Sequence, residues 1–294
     1  NGDVITDVSI PDGESAQELW EILRAILDHV PSGVNLTLDI THGFRSFHFI
    51  FFTAAVFLEA LRDVKINAVY YGMLSEGRGP MVDLSLILDM VEWFYATRTF
   101  KETGQAYHLN ELLAKLEVPP AGISDSARAP YSRIKGLRKS LYDFTACYTQ
   151  ALPLELGLVS AQVMHQLSRT AFTEAMHEDI PVPNELMNIV RDFVEPFALS
   201  LPSKNDRKKK HIISLDVDEL ERQARLIDSY LEQGYLNYAM GMMREWVISA
   251  ALMNNRAGND KEVGSKTLWL DYPGDRKPVE IRLNYLAKVV KSEY

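Results

Sequence analysis

The densest chemistry in the chain is the run Asp39-Ile40-Thr41-His42-Gly43-Phe44-Arg45-Ser46. Around one glycine it gathers a carboxylate, two hydroxyls, an imidazole and a guanidinium, and this set suits an anion or a nucleotide. Gly43 lets backbone approach a ligand closely and accepts a positive φ. Thr41 and Ser46 bring hydroxyls, and Arg45 brings a planar set of donors matched to phosphate. His42 can donate, stack on a base or titrate near neutrality. Asp39 would repel an anion, so it is read as a brace that accepts backbone N–H groups in the loop or pairs with Arg45.

The remaining candidates carry less. Lys204 and Arg207 to Lys210 form a basic run after Pro202, read either as a solvated loop or as a guide for RNA. His177-Glu178-Asp179 is read as a surface cluster rather than a metal site, because adjacent residues on a helix point different ways. The single cysteine, Cys147, rules out an intramolecular disulfide and any multi-cysteine metal site, and fits a reducing compartment. It reads as buried filler, and Met240, Met242, Met243 and Trp246 read as core at helical spacing. No metal centre and no cofactor are expected.

The elements that must position the loop come next. Val4 to Ile10 alternates in a β-like way and ends in the turn Pro11-Asp12-Gly13. Ser15 to Glu18 fits a capping box, and Leu19, Ile22, Leu23, Ile26, Leu27 and Val30 recur at helical spacing behind it. Val34 to Thr41 reads as a strand, Arg45 to Leu61 as a long apolar helix, and Lys65 to Gly72 as a further strand. Alternation of strand and helix predicts crossovers and a mainly parallel sheet. The loop would then sit at the carboxyl end of a strand, where such sheets bind ligands, with the next helix pointing its N-terminus and positive dipole end at the site.

After Leu86 the pattern becomes helical. Helices are predicted near 88–100, 110–116, 131–151, 153–176, 184–199, 217–231 and 235–254, with a Gly- and Asp-rich loop over 255–275. Residues 1–100 thus read as an α/β domain and 101–294 as an all-α region. Lys plus Arg is 31 and Asp plus Glu is 40, a formal charge of −9. A net field of that sign repels phosphate, which excludes a protein that coats nucleic acid and asks for a local cradle of donors instead. The apolar run from Phe47 to Leu61 is interrupted by His48, Thr53 and Glu59, too short and too polar to span a bilayer. No signal-peptide pattern opens the chain, so a cytoplasmic location and no membrane partner are expected. Both ends read as incomplete: Asn1 is not an initiator Met, and Lys291 to Tyr294 falls inside a helical pattern.

Asp39-Ile40-Thr41-His42-Gly43, with Phe44-Arg45-Ser46, resembles the D-x-T-H-G signature of a family of CRISPR-associated proteins that joins a CARF domain, a Rossmann-like fold, to a helical HEPN domain. Ile10 to Gly13 with Glu18-Leu19-Trp20, Tyr70-Tyr71-Gly72, Asp83-Leu84 with Glu92-Trp93, and then Phe100 and Gly104 are similar to the same family over about residues 4–110. Gly234-Tyr235, Ala239 and Arg244-Glu245 resemble one of its HEPN helices. The resemblance implies a CARF sensor with a first strand before residue 1. It implies that two copies pair about a two-fold axis, as a homodimer or a higher even oligomer, and clasp a cyclic oligoadenylate of four or six units. Thr41, His42, Gly43, Phe44, Arg45 and Ser46 would line its phosphates and riboses. Tyr71 and Gly72 would lie near an adenine.

For the helical half the resemblance implies a metal-independent endoribonuclease acting on single-stranded RNA. There an Arg and a His, separated by four to six residues, assist attack by the ribose 2′-hydroxyl. This chain departs from that pattern. Arg24 with His29 alone has the spacing, on the first amphipathic helix, where His29 reads as a surface residue facing the helix dipole. Arg207 to His211 is one residue short. No catalytic pair is assigned, and two alternatives stay open: a non-catalytic regulator responding to the same ligand, or a sensor that itself cleaves the ring through His42, Arg45 and Ser46.

Overall fold

The computed structural model describes residues 5–73, 79–119, 122, 124, 128–170, 182–200, 213–257 and 276–284. The cluster His177 to Asp179, the basic run Lys204 to Lys210, the Arg207 and His211 pair and residues 258–275 lie outside them. The chain divides into two compact units between Glu92 and Trp93.

The first unit is α/β. Helix α1 (Ala16–His29) starts where the capping box predicts: Ser15 Oγ accepts from Glu18 N–H at 3.2 Å, while Glu18 reaches back to Glu14 N–H at 2.8 Å. Strand β1 (Asn35–Asp39) runs parallel to β2 (Lys65–Gly72), and helix α2 (Arg45–Arg62) makes the crossover between them. Strand β3 (Met81–Asp83) then pairs antiparallel with β2, giving the order β1-β2-β3. α1 packs on α2, and the Arg62 guanidinium ties their C-terminal ends by donating to Leu27 O and, at 3.0 Å, to Val30 O. These carbonyls sit at a helix terminus, where no intrahelical donor serves them. The core is small: Ile40, Ala55, Val69 and Leu88, with partly buried apolar side chains around them.

Two expectations need correction. Residues 5–10 form no strand; Ile5 is 93% exposed, and no described strand pairs with the segment. The sheet is mixed rather than mainly parallel, with one parallel and one antiparallel pair. β3 has three residues, too few to show a period. Asp83 marks its end: the carboxylate accepts Ser85 N–H at 2.9 Å and Val69 N–H at 3.3 Å, chiefly the Ser85 bond holding its pKa below the ordinary value.

The second unit is helical among its described residues. It holds the later part of α3 (Ser85–Thr103), then α4 (Tyr107–Lys115), α5 (Ala129–Thr149), α6 (Pro153–Arg169), α7 (Pro183–Val194), a 3-10 turn at Glu195–Phe197, α8 (Val217–Glu232), α9 (Leu236–Ala257) and a helical segment over 276–284. Trp93, Ala96 and Phe100 of α3 belong to its core, together with Leu109, Leu137, Phe144 and Val190. Tyr148 stands at the centre, its hydroxyl 2.7 Å from Ser229 Oγ and donating to Gln233 Oε1 at 2.9 Å, and Tyr230 O–H donates to Tyr148 O at 2.6 Å. Gly104, with φ +70°, passes so close that a Cβ there would lie 2.4 Å from the Tyr148 ring. Arg222 is fully buried; it donates to Glu219 at 2.5 and 2.8 Å and to Pro153 O at 2.8 Å.

Of the methionines read as core, Met242 is buried, but Met240 is 67% and Met243 37% exposed. The face of α9 that packs is narrower than its apolar content suggests. Trp246 packs partly against the core and donates its indole N–H to Leu220 O at 2.8 Å. Cys147 is half-buried against that core, and burial pushes its thiol up to about 11, so it stays protonated. Among the described residues no helix is long and apolar enough to cross a membrane.

Candidate functional site

The loop from Asp39 to Arg45 leaves the carboxyl end of β1 and enters α2. Asp39 Oδ1 accepts Thr41 N–H at 2.9 Å, an Asx turn that reverses the chain just past the strand. Thr41 Oγ1 in turn accepts Gly72 N–H at 2.8 Å, which latches the loop onto the end of the parallel neighbour β2. The Thr41 hydroxyl, and after it the Thr41 amide, hold the Asp39 carboxyl below its ordinary pKa. Glycine at 72 keeps this contact close, since a Cβ there would lie 2.9 Å from the Thr41 methyl and push it aside. Gly43 has φ +141°, a backbone region that side chains rarely adopt.

Phe44 is the N-cap of α2 and gives the helix no side-chain cap; no acidic residue stands in its first turn. Phe47 N–H turns back to Phe44 O at 2.9 Å. The first turn of an eighteen-residue helix therefore presents the Arg45 and Ser46 amides and its positive dipole end with no side-chain cap and no acidic residue of its own. His42, Gly43, Phe44, Arg45 and Ser46 are all exposed around this turn.

A cleft of about 560 Å3 opens beside it, between α2, the sheet and the start of α3, entirely within the α/β unit. Its walls are apolar, with Leu38, Ile40, Phe52, Val69 and Leu84 among them; its polar members are Arg45, His48 and Tyr71. Arg45 thus faces both the loop mouth and the cleft. Of the residues singled out from sequence, Arg45 and Tyr71 meet at the cleft, Thr41 and Gly72 bond to each other, and His42, Gly43, Phe44 and Ser46 surround the helix start without lining it.

His48 and the aromatic wall of Phe49, Phe51 and Phe52 join the site without belonging to the loop motif. His48 Nδ1 lies 3.3 Å from Arg45 O, and its ring stands edge-on to Tyr71 with centroids 5.6 Å apart. The available signal was spacing: three residues past Arg45 is the same side of the helix. Among the described residues no three His, Cys, Asp or Glu side chains gather as a metal site would require.

In the helical unit, Gly234 (φ +76°) turns the chain from α8 into α9, Ala239 is fully buried, and Arg244 pairs with Glu245 at 2.7 Å. Glu245 also receives Arg276 from the 276–284 segment. Arg24 is exposed on α1, and His29, also exposed, places Nδ1 2.7 Å from Ala25 O of its own helix.

No family model matches the chain. A stretch of 108 residues, 34% of the chain, is 33% identical to the CRISPR-associated protein MJ1674 of Methanocaldococcus jannaschii, and it spans 17% of that protein. The chain is therefore similar, over about a third of its length, to part of a protein named as CRISPR-associated.

Proposed function

We propose that the α/β unit binds a cyclic oligoadenylate of four or six units and that this ligand switches on a HEPN-type endoribonuclease activity of the helical half, as in an ancillary effector of type III CRISPR defence. The observation that carries the reading is the uncapped start of α2 beside the Asp39, Thr41 and Gly72 latch, with Arg45 on its rim. Amide donors, a dipole and one guanidinium form a local cradle for phosphodiester groups on a chain whose net charge is −9. The adjoining aromatic cleft is of nucleotide size. The similarity to a CRISPR-associated protein supports the biological setting.

A ring built of identical units matches a two-fold pair of these loops, so the working species is proposed to be a homodimer. Gating requires the ligand to bind one arrangement of the dimer more tightly than another. The proposal for the helical half rests on its likeness to a HEPN helix at Gly234 to Glu245. The test is cleavage of a fluorescent single-stranded RNA, without metal, with and without cyclic tetra- or hexa-adenylate. A rate that rises with one of these rings supports the proposal; equal rates in all three conditions overturn the gating, and no cleavage with tight binding points to a non-catalytic regulator.

A further inference from the structure

Of the cleft's polar side chains, His48 has a buried polar atom left without a hydrogen bond. Its Nδ1 faces Arg45 O, and a carbonyl oxygen only accepts, so Nδ1 carries the ring proton. A ring protonated at Nδ1 alone leaves Nε2 as a lone-pair acceptor. That atom is closed off from solvent and has no hydrogen-bond partner. A buried acceptor without a donor costs free energy unless something supplies one. The cleft that His48 lines is otherwise apolar apart from Arg45 and Tyr71, and the Tyr71 ring is packed edge-on against the imidazole.

We infer that His48 Nε2 is the specificity acceptor of this cleft: a planar base enters among Phe49, Phe52 and Ile87, turns the Tyr71 ring aside and donates an edge N–H to Nε2. The inference rests on the proposal above that the cleft serves a nucleotide whose phosphates sit at the α2 N-terminus. It adds the direction of reading. Adenine offers an exocyclic amine to such an acceptor, whereas hypoxanthine presents a carbonyl oxygen at the same edge, whose lone pairs oppose those of Nε2. Arg45, one helical turn earlier, would hold the adjoining phosphate, so base and phosphate are read from one face of α2.

Isothermal titration of the full chain with cyclic tetra-adenylate and with cyclic tetra-inosinate tests it. The expected result is a preference for the adenine ring of about tenfold or more, reduced to within about twofold in His48→Phe, which keeps an aromatic ring and removes the acceptor. Equal affinity of wild type for the two rings, or a preference that survives in His48→Phe, overturns the inference and leaves the nucleotide site standing. Binding of neither cyclic tetra-adenylate nor cyclic hexa-adenylate by wild type overturns the site itself. Should His48→Phe lose its circular dichroism, nitrogen NMR of wild-type His48 decides: the Nε2 resonance is expected to move with the adenine ring and not with the hypoxanthine ring, and an unmoved resonance contradicts the reading.

Discussion

The two units place their polar groups differently. In the helical unit the largest of them are spent inside the fold: Arg222 satisfies Glu219 and a helix-start carbonyl, Tyr148 bonds Ser229 and Gln233, and Thr145 serves Ala106 N–H at 2.9 Å and Gly104 O at 3.2 Å, while the buried Thr97 Oγ1, Asn110 Oδ1 and Ser160 Oγ have no partner. In the α/β unit the latch of Asp39, Thr41 and Gly72 spends three residues to hold a loop, and what it holds out is unspent: an uncapped helix start, Arg45, and the bare Nε2 of His48. Buried atoms without a partner occur in both units, and what sets His48 Nε2 apart is that its side chain lines a cleft beside an uncapped helix start.

That contrast can be broken from its strong end. Arg222→Met should be the most destabilising change, since it leaves the Glu219 carboxylate buried without its partner; loss of one member of such a pair costs about 3–5 kcal/mol. Urea unfolding measures it, and a loss under about 1 kcal/mol would mean that the buried network matters little. Gly72→Ala should cost about 1–3 kcal/mol, the usual range for overpacking, because the added methyl meets Thr41 at 2.9 Å. Unlike Arg222→Met, it should also weaken binding of cyclic tetra-adenylate, by displacing the loop. Thr41→Val keeps the shape and removes the acceptor of Gly72 N–H, at about 1 kcal/mol in the same unfolding experiment, with a loosened loop visible in amide exchange at Gly72.

The smallest effect is that of Asp39. Its carboxyl titrates below the ordinary 3.8 through the Thr41 hydroxyl and amide. A depressed folded pKa means that the unfolded chain binds the proton first, so the contribution is complete above that ordinary value and fades as pH falls through the folded one. Asp39 is exposed, and the change should show only locally, as a Thr41 amide resonance that titrates with a midpoint under 3.8 in wild type and is flat in Asp39→Asn. A midpoint above that value would remove the brace.

Much of this was legible in sequence where one local signal decides the outcome. Ser15 and Glu18 announced the start of α1, Lys65 to Gly72 was read as a strand over the residues it occupies, and the helices from Tyr107 to Ala257 follow apolar spacing. Failures came where neighbours decide. The alternation over 5–10 is real, yet a strand needs a partner for its ladder, and none of the described strands pairs with this segment. β3 exists because β2 templates it. Met240 and Met243 have core chemistry on a helix whose packed face does not include them. For the site, the loop residues were visible as types, but the pairing of Thr41 with Gly72, thirty-one positions apart, and the buried face of His48 depend on how the crossover returns to the sheet.

The central claim is tested most directly by calorimetric titration of cyclic tetra- and hexa-adenylate into the wild-type chain and into Arg45→Ala. The account predicts saturable binding of at least one ring, at one ring per two chains, with affinity falling about tenfold or more in the variant while its thermal unfolding is unchanged. No heat with either ring, or equal affinity in the Arg45 variant, would contradict it.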